Sequence, residues 1–179
     1  MNPARSEIEA DSWAFALTIY ARPGVADACL ALQNEAGVDV MLLLMATFAA
    51  VKHRVLLTRD EIKAIDEACR PWREQVVWRL RAIRSELKTG PRPAPTSKTE
   101  PFRSKIKALE LEAERLENQL LAECLPLKQR EKEIVKPEQL RIVLNDVVMH
   151  FAVEREARLN SSLSSSMETI VEAAMPDAC

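Results

Sequence analysis

Val38-Asp-Val-Met-Leu-Leu-Leu-Met-Ala-Thr-Phe-Ala-Ala-Val51 is the stretch on which the fold turns, because Asp39 and Thr47 are its only polar residues. A membrane-spanning helix needs about 20 apolar residues, so this segment is too short to cross a bilayer and reads as a buried helix. Asp39 is placed to cap it, and the helix is expected to run from Val40 to about Arg54. Being apolar nearly all round, it belongs at the centre of a helical bundle.

The composition agrees. Ala, Leu, Glu, Lys and Arg supply half of the 179 residues, against three glycines and 4% aromatics. Sheets need turn glycines and aromatic or β-branched strands, so this mixture favours helices. An apolar content of 47% suits a packed core and excludes wholesale disorder. The expected fold class is all-α: a bundle of about seven helices with a long hairpin, helices five and six, joined by a proline-rich linker.

Upstream of the central helix, a first helix is expected over Trp13–Tyr20, capped by Asp11 or Ser12. After Pro23-Gly24 a second carries Val25, Ala28, Cys29, Leu32 and Ala36 at helical spacing and stops at Gly37. Downstream, Thr58 and Glu61 have capping-box spacing, with Leu57 and Ile62 as a hydrophobic staple. Helix four therefore starts at Arg59, buries Ile62, Ile65 and Cys69, and ends before Pro71, where helix five begins. Helix six, from about Phe102, has Ile106, Leu109, Ala113, Leu116 and Leu120 at 3,4 spacing, a stripe too short to read as a coiled coil. Helix seven follows Pro137 with Leu140, Val143, Leu144, Val147 and Phe151. The expected division is a helical core over 11–88, a flexible linker over 89–101, helices packing back over 102–159, and a frayed, serine-rich tail over 160–179.

The formal charge of −2 hides segregation: an acidic first third, a basic middle and an acidic end. Cys29, Cys69, Cys124 and Cys179 lack metal-ligand spacing. The first three fall on apolar helix faces, which predicts small core residues in a reducing compartment. The acidic N-terminus has no secretory h-region, and the expected location is the cytoplasm.

Trp13-Ala-Phe15-Ala-Leu17, Tyr20, Pro23-Gly24-Val25, Cys29-Leu30, Leu32-Gln33, Asp39-Val40 and Leu43-Leu44, followed by Trp72-Arg73 and Glu110-Leu111-Glu112-Ala113-Glu114, form an ordered set. That set resembles a small family of uncharacterised, chiefly proteobacterial proteins, over roughly residues 11–125. The resemblance implies an all-helical bacterial domain with no established activity, cofactor or substrate.

Three candidate sites follow from the residues. Helix five carries a basic stripe including Arg73, Arg81, Arg84 and Lys88, and helix six an acidic one of Glu110, Glu114 and Glu117. An antiparallel hairpin sets Arg81 level with Glu110, and Arg73 level with Glu114 or Glu117, as exposed ion pairs contributing about 0–1 kcal/mol each. Toward the linker the pairing runs out, leaving Arg84, Lys88, Arg92, Arg103, Lys105 and Lys107 as a basic tip that could hold an anion or nucleic acid. Trp13, Phe15, Tyr20 and Gln33 cluster near a reverse turn, as core anchors or the lining of a pocket. His53 and His150 lack the Glu-x-x-His context of a helical di-iron site, and no nucleophile elbow or phosphate loop is present. No catalytic residue, cofactor or metal ligand is assigned. The expected function is a protein-interaction or adaptor module, with an unknown protein or a second copy as partner. Nucleic-acid or ribosome association through the tip, and a small-ligand protein or enzyme with a pocket at Trp13, Tyr20 and Gln33, are the alternatives.

Overall fold

The computed structural model describes residues 3–126, 133–154 and 160–175. Its helices are α1 (Pro3–Tyr20), α2 (Val25–Ala36), α3 (Val40–His53), α4 (Arg59–Trp72), α5 (Trp78–Glu86), α6 (Glu100–Cys124), α7 (Pro137–Glu154) and α8 (Ser161–Ala174). No strand occurs among the described residues, and the architecture is an all-α bundle.

The central helix behaves as its composition requires. Every residue of α3 from Met41 to Ala50 is buried, and α1, α6 and α7 pack around it. The Asp39 carboxylate accepts the backbone N–H of Met41 at 2.8 Å. Thr47, mid-helix, returns its hydroxyl to the Leu43 carbonyl at 2.8 Å, which satisfies that hydroxyl inside the core. Gly37 ends α2 in the left-handed region at φ 72°, and the Thr58–Glu61 capping box opens α4.

Four features differ from the sequence expectation. First, α1 begins at Pro3 rather than near Trp13, and Ser12 is an interior residue that holds α1 to α6. Asn118 Nδ2 donates to its hydroxyl at 3.0 Å. Second, Pro71 does not separate two helices. Proline lacks the N–H that an α turn needs and crowds the carbonyl four residues back. The chain absorbs this by widening into one π-helical turn, Arg73–Val77, so that α4 and α5 are continuous.

Third, α6 packs on a different face. Ala113 is buried, but Leu109 and Leu116 remain 49% and 44% exposed, while Glu110, Glu117, Asn118 and Leu121 turn inward. The orientation of α6 is set by what its carboxylates and Asn118 bond, not by its leucine row. Cys124, expected in the core, is consequently exposed at the helix end, while Cys29 and Cys69 are buried.

Fourth, the tail expected to be frayed forms α8. Asn160 caps it by accepting the Leu163 N–H at 2.9 Å, and Leu163, Ile170 and Val171 are buried in the shared core. It covers α2, whose Glu35 also accepts from Asn160 at 3.1 Å and from Ser162 at 2.8 Å. The serines lie largely on the outer face. Cys179 lies outside the described residues. The proline-rich linker runs as successive turns, in which the Ala94 N–H donates to the Pro91 carbonyl at 2.8 Å.

Candidate functional site: a polar-floored cleft

The site begins with a problem that the central helix creates. Because α3 is buried from its first turn, its capping carboxylate Asp39 is buried too, at 6% exposure. A buried carboxylate needs a cation as well as the N–H groups that it caps. Arg73 supplies it: the π turn directs this side chain inward, where its Nη1 donates to Asp39 at 2.6 Å and its Nη2 to Asp66. The guanidinium lies over the rings of Trp78, 5.7 Å to the centroid, and Phe151, 5.3 Å. Asp66, fully buried on α4, also accepts from Arg70 at 2.6 Å and pairs with His150 of α7 at 2.9 Å. Burial alone would raise the Asp66 pKa, but His150, Arg70 and Arg73 outweigh it and hold the group below the ordinary aspartate value.

This network was not legible as a site, although one signal was present. Asp66 falls on the apolar row Ile62–Ile65–Cys69, and Arg73 lies seven residues, two turns, beyond it. An acid on a buried row demands a buried base.

Arg73 lies close enough to Glu117 to act on it electrostatically, as the hairpin level requires, but its guanidinium bonds Asp39 and Asp66 instead of the glutamates of α6. Arg81 meets α6 as the hairpin geometry requires, donating to Glu110 at 2.8 Å and to Glu114 at 2.5 Å. Arg84 also bonds Glu110, which is 5% exposed. Burial would raise the Glu110 pKa, but the two arginines depress it. Glu114, with Arg81 alone, is raised by burial. These pairs are partly to wholly buried rather than exposed.

Glu117 differs from every other carboxyl in the group. It is 1% exposed, and no cation lies within 4 Å of it among the described residues. Its Oε1 is without a hydrogen-bond partner there. Burial, then the neighbouring Asp39 carboxylate, push its pKa far above the ordinary glutamate value.

Above this floor opens a cleft of about 1070 Å³ between α1, α2 and the α5–α6 hairpin. Trp13, Tyr20, Gln33 and Trp78 line its walls, and Asp39, Arg73 and Glu117 its floor. Phe15 does not take part; it packs in the core with its ring 5.6 Å from Phe48. Cys29 lines the wall as a thiol, its pKa pushed up to about 12 by burial, so it offers no thiolate nucleophile at neutral pH.

The basic tip is divided. Arg84 is tied to Glu110, and Arg103 to Glu100 on its own helix at 3.0 Å. Lys88 and Lys107 stand at the cleft's outer end, while Arg92 and Lys105 are exposed and outside its lining. No group of three or more His, Cys, Asp or Glu side chains is arranged to hold a metal ion among the described residues.

Residues 11–121 match the family described as "Protein of unknown function (DUF2390)". The chain belongs to that family. The match takes in the whole cleft, including Glu117, and leaves α7 and α8 outside it. No curated protein and no solved structure matches the chain. No single helix among the described residues is long and apolar enough to cross a membrane.

Proposed function

We propose that this DUF2390 chain is a small-ligand-binding protein whose ligand occupies the cleft between α1–α2 and the α5–α6 hairpin. The observation that carries the reading is the convergence of aromatic walls on a buried, charged floor. Ligand sites are concave and mostly apolar, with a few fixed polar groups and volumes of about 300–1,000 Å³. Tyr20, Leu17, Leu30 and Trp78, each between 38% and 49% exposed, give the cleft an apolar surface that no other element among the described residues covers. A thermal-shift screen over metabolites, followed by quenching of Trp13 and Trp78 fluorescence, tests it. Stabilising compounds should lose their effect in Tyr20→Ala, and a screen without any stabiliser counts against the reading.

A separate observation favours the interaction-module reading. Phe102, Leu109 and Leu116 recur every seven residues along α6 and are 44–55% exposed, an apolar row left open among the described residues. A mass that rises with concentration, and returns to that of one chain in Leu109→Glu, would support it. Nucleic-acid binding would fall to Lys88, Arg92, Lys105 and Lys107, since Arg84 and Arg103 are engaged. A steep salt dependence of RNA or DNA affinity would identify it. A bacterial cytoplasmic location accords with the buried thiols of Cys29 and Cys69, which a reducing compartment preserves.

A further inference from the structure

Glu117 carries a more specific message about what the cleft receives. Four carboxylates around it have guanidinium partners: Asp39 and Asp66 share Arg73, and Glu110 and Glu114 share Arg81. Glu117 has no such partner among the described residues, yet it is one of their most deeply buried side chains. An isolated ionised carboxylate in such a place costs several kcal/mol and is avoided by keeping a proton on it. A glutamine would fill the same volume without that difficulty. The groups facing Glu117 are Asp39 from the start of α3, Arg73 from the π turn, Cys69 from α4 and Glu114 from its own helix. Arg73 is already divided between two aspartates. What remains unmet is a hydrogen bond at Oε1, on a residue that lines the cleft, and a cation placed there would let the group ionise.

The walls have a matching preference. Trp13 and Glu117 are the sequence neighbours of Ser12 and Asn118, whose side chains bond across α1 and α6. That bond fixes α1 against α6, and Trp13 and Glu117 both line the cleft between them. Tyr20 and Trp78 line the same space. Aromatic faces attract a cation and accept the apolar body that carries it.

We propose that the cleft takes a small organic cation, a primary amine on an aromatic or aliphatic body, with its ammonium group bonded to Glu117 and its body against Trp13, Tyr20 and Trp78. This rests on the cleft being a ligand site and adds the charge of the ligand. Binding transfers no covalent bond. The Glu117 carboxyl gives its proton to solvent, and the ammonium N–H groups donate to the resulting carboxylate, the strongest class of hydrogen bond available there.

The test uses the full chain and matched probes with one body and three charges: phenethylamine, hydrocinnamamide and hydrocinnamate, with tryptamine and its indolepropionic amide and acid as a second set. Isothermal titration in buffers of different ionisation enthalpy reads affinity and proton release together. The amines should bind, the amides and acids should bind at least about tenfold more weakly, and about one proton should leave per amine bound. Amine affinity should rise by about tenfold per pH unit from about pH 6 to about pH 8, in the wild-type chain without any substitution. Glu117→Gln, checked for an unchanged helical spectrum and cooperative unfolding, should lose about tenfold or more in amine affinity and all of the proton release.

Preferential binding of the amide or acid, or an amine affinity that neither pH nor Glu117→Gln changes, overturns the cationic ligand while leaving the cleft as a binding site. Failure of all six compounds to bind overturns both.

Discussion

Arg73 shows at the scale of one residue why this core tolerates charge. Its fork is bonded to Asp39 and Asp66, and it lies between the Trp78 and Phe151 rings, so no other side chain of similar size replaces it. Arg73→Met should destabilise the fold by about 3–5 kcal/mol in urea titration, because it leaves two buried carboxylates without their cation. Arg73→Lys should recover only part of that loss, since an ammonium cannot bridge both acids in one plane. Glu117 predicts the opposite behaviour. Its pKa is raised in the folded chain, so its contribution is present below the unfolded glutamate value of about 4.3 and is lost as pH rises toward the folded value. Across that window wild-type stability should fall relative to Glu117→Gln, by about 1.4 kcal/mol per pH unit for as long as the folded group keeps its proton. Denaturant midpoints of the two chains at about pH 4 and pH 7 give the measurement. Equal midpoints at both values would show that Glu117 ionises normally.

Elements are where composition and tertiary context part company. The serine-rich first half of α8 has little to recommend it as a helix in isolation, but Leu163, Ile170 and Val171 share one face, and α2 has an apolar surface that needs a cover. Full burial of each such side chain contributes about 1.5–3 kcal/mol, so together they rival the whole stability of a typical domain. A chain ending after Leu159 should therefore lose cooperative unfolding or melt far below the intact chain. A melting temperature within a few degrees of the intact chain would mean that α8 is dispensable. The π turn is the converse case: local chemistry at Pro71 was legible, but its outcome was not. A proline predicts a break, and here the neighbouring helix α6 and the buried acids hold the chain together through it. The Trp72 indole donates to the Ala113 carbonyl at 3.0 Å, and Arg73 reaches inward.

Over the whole molecule, acid should be the effective denaturant. Asp66 and Glu110, on different elements, both have pKa values held below the ordinary range by arginine or histidine partners. Their contributions are present above about pH 4, the unfolded carboxylate range, and are lost as pH falls through the lowered folded values. Because Asp66 links α4, the π turn and α7, and Glu110 joins α5 to α6, protonating them loosens three helix contacts at once. Circular dichroism against pH should show a cooperative loss of tertiary signal below about pH 4. In Asp66→Asn the remaining acid transition should be shallower.

The sequence by itself determined the fold class, the central position of α3, its Asp39 cap, the Thr58–Glu61 capping box and the level at which Arg81 meets Glu110. Each depends on spacing along one chain segment, and helical geometry converts spacing into direction. Tertiary structure decided which charges are buried, that α4 and α5 are one helix through Pro71, that α8 exists, and that Glu117 has no cation bonded to it among the described residues. Those depend on what lies across from a face, and a buried charge is defined by its partners, which belong to other parts of the chain.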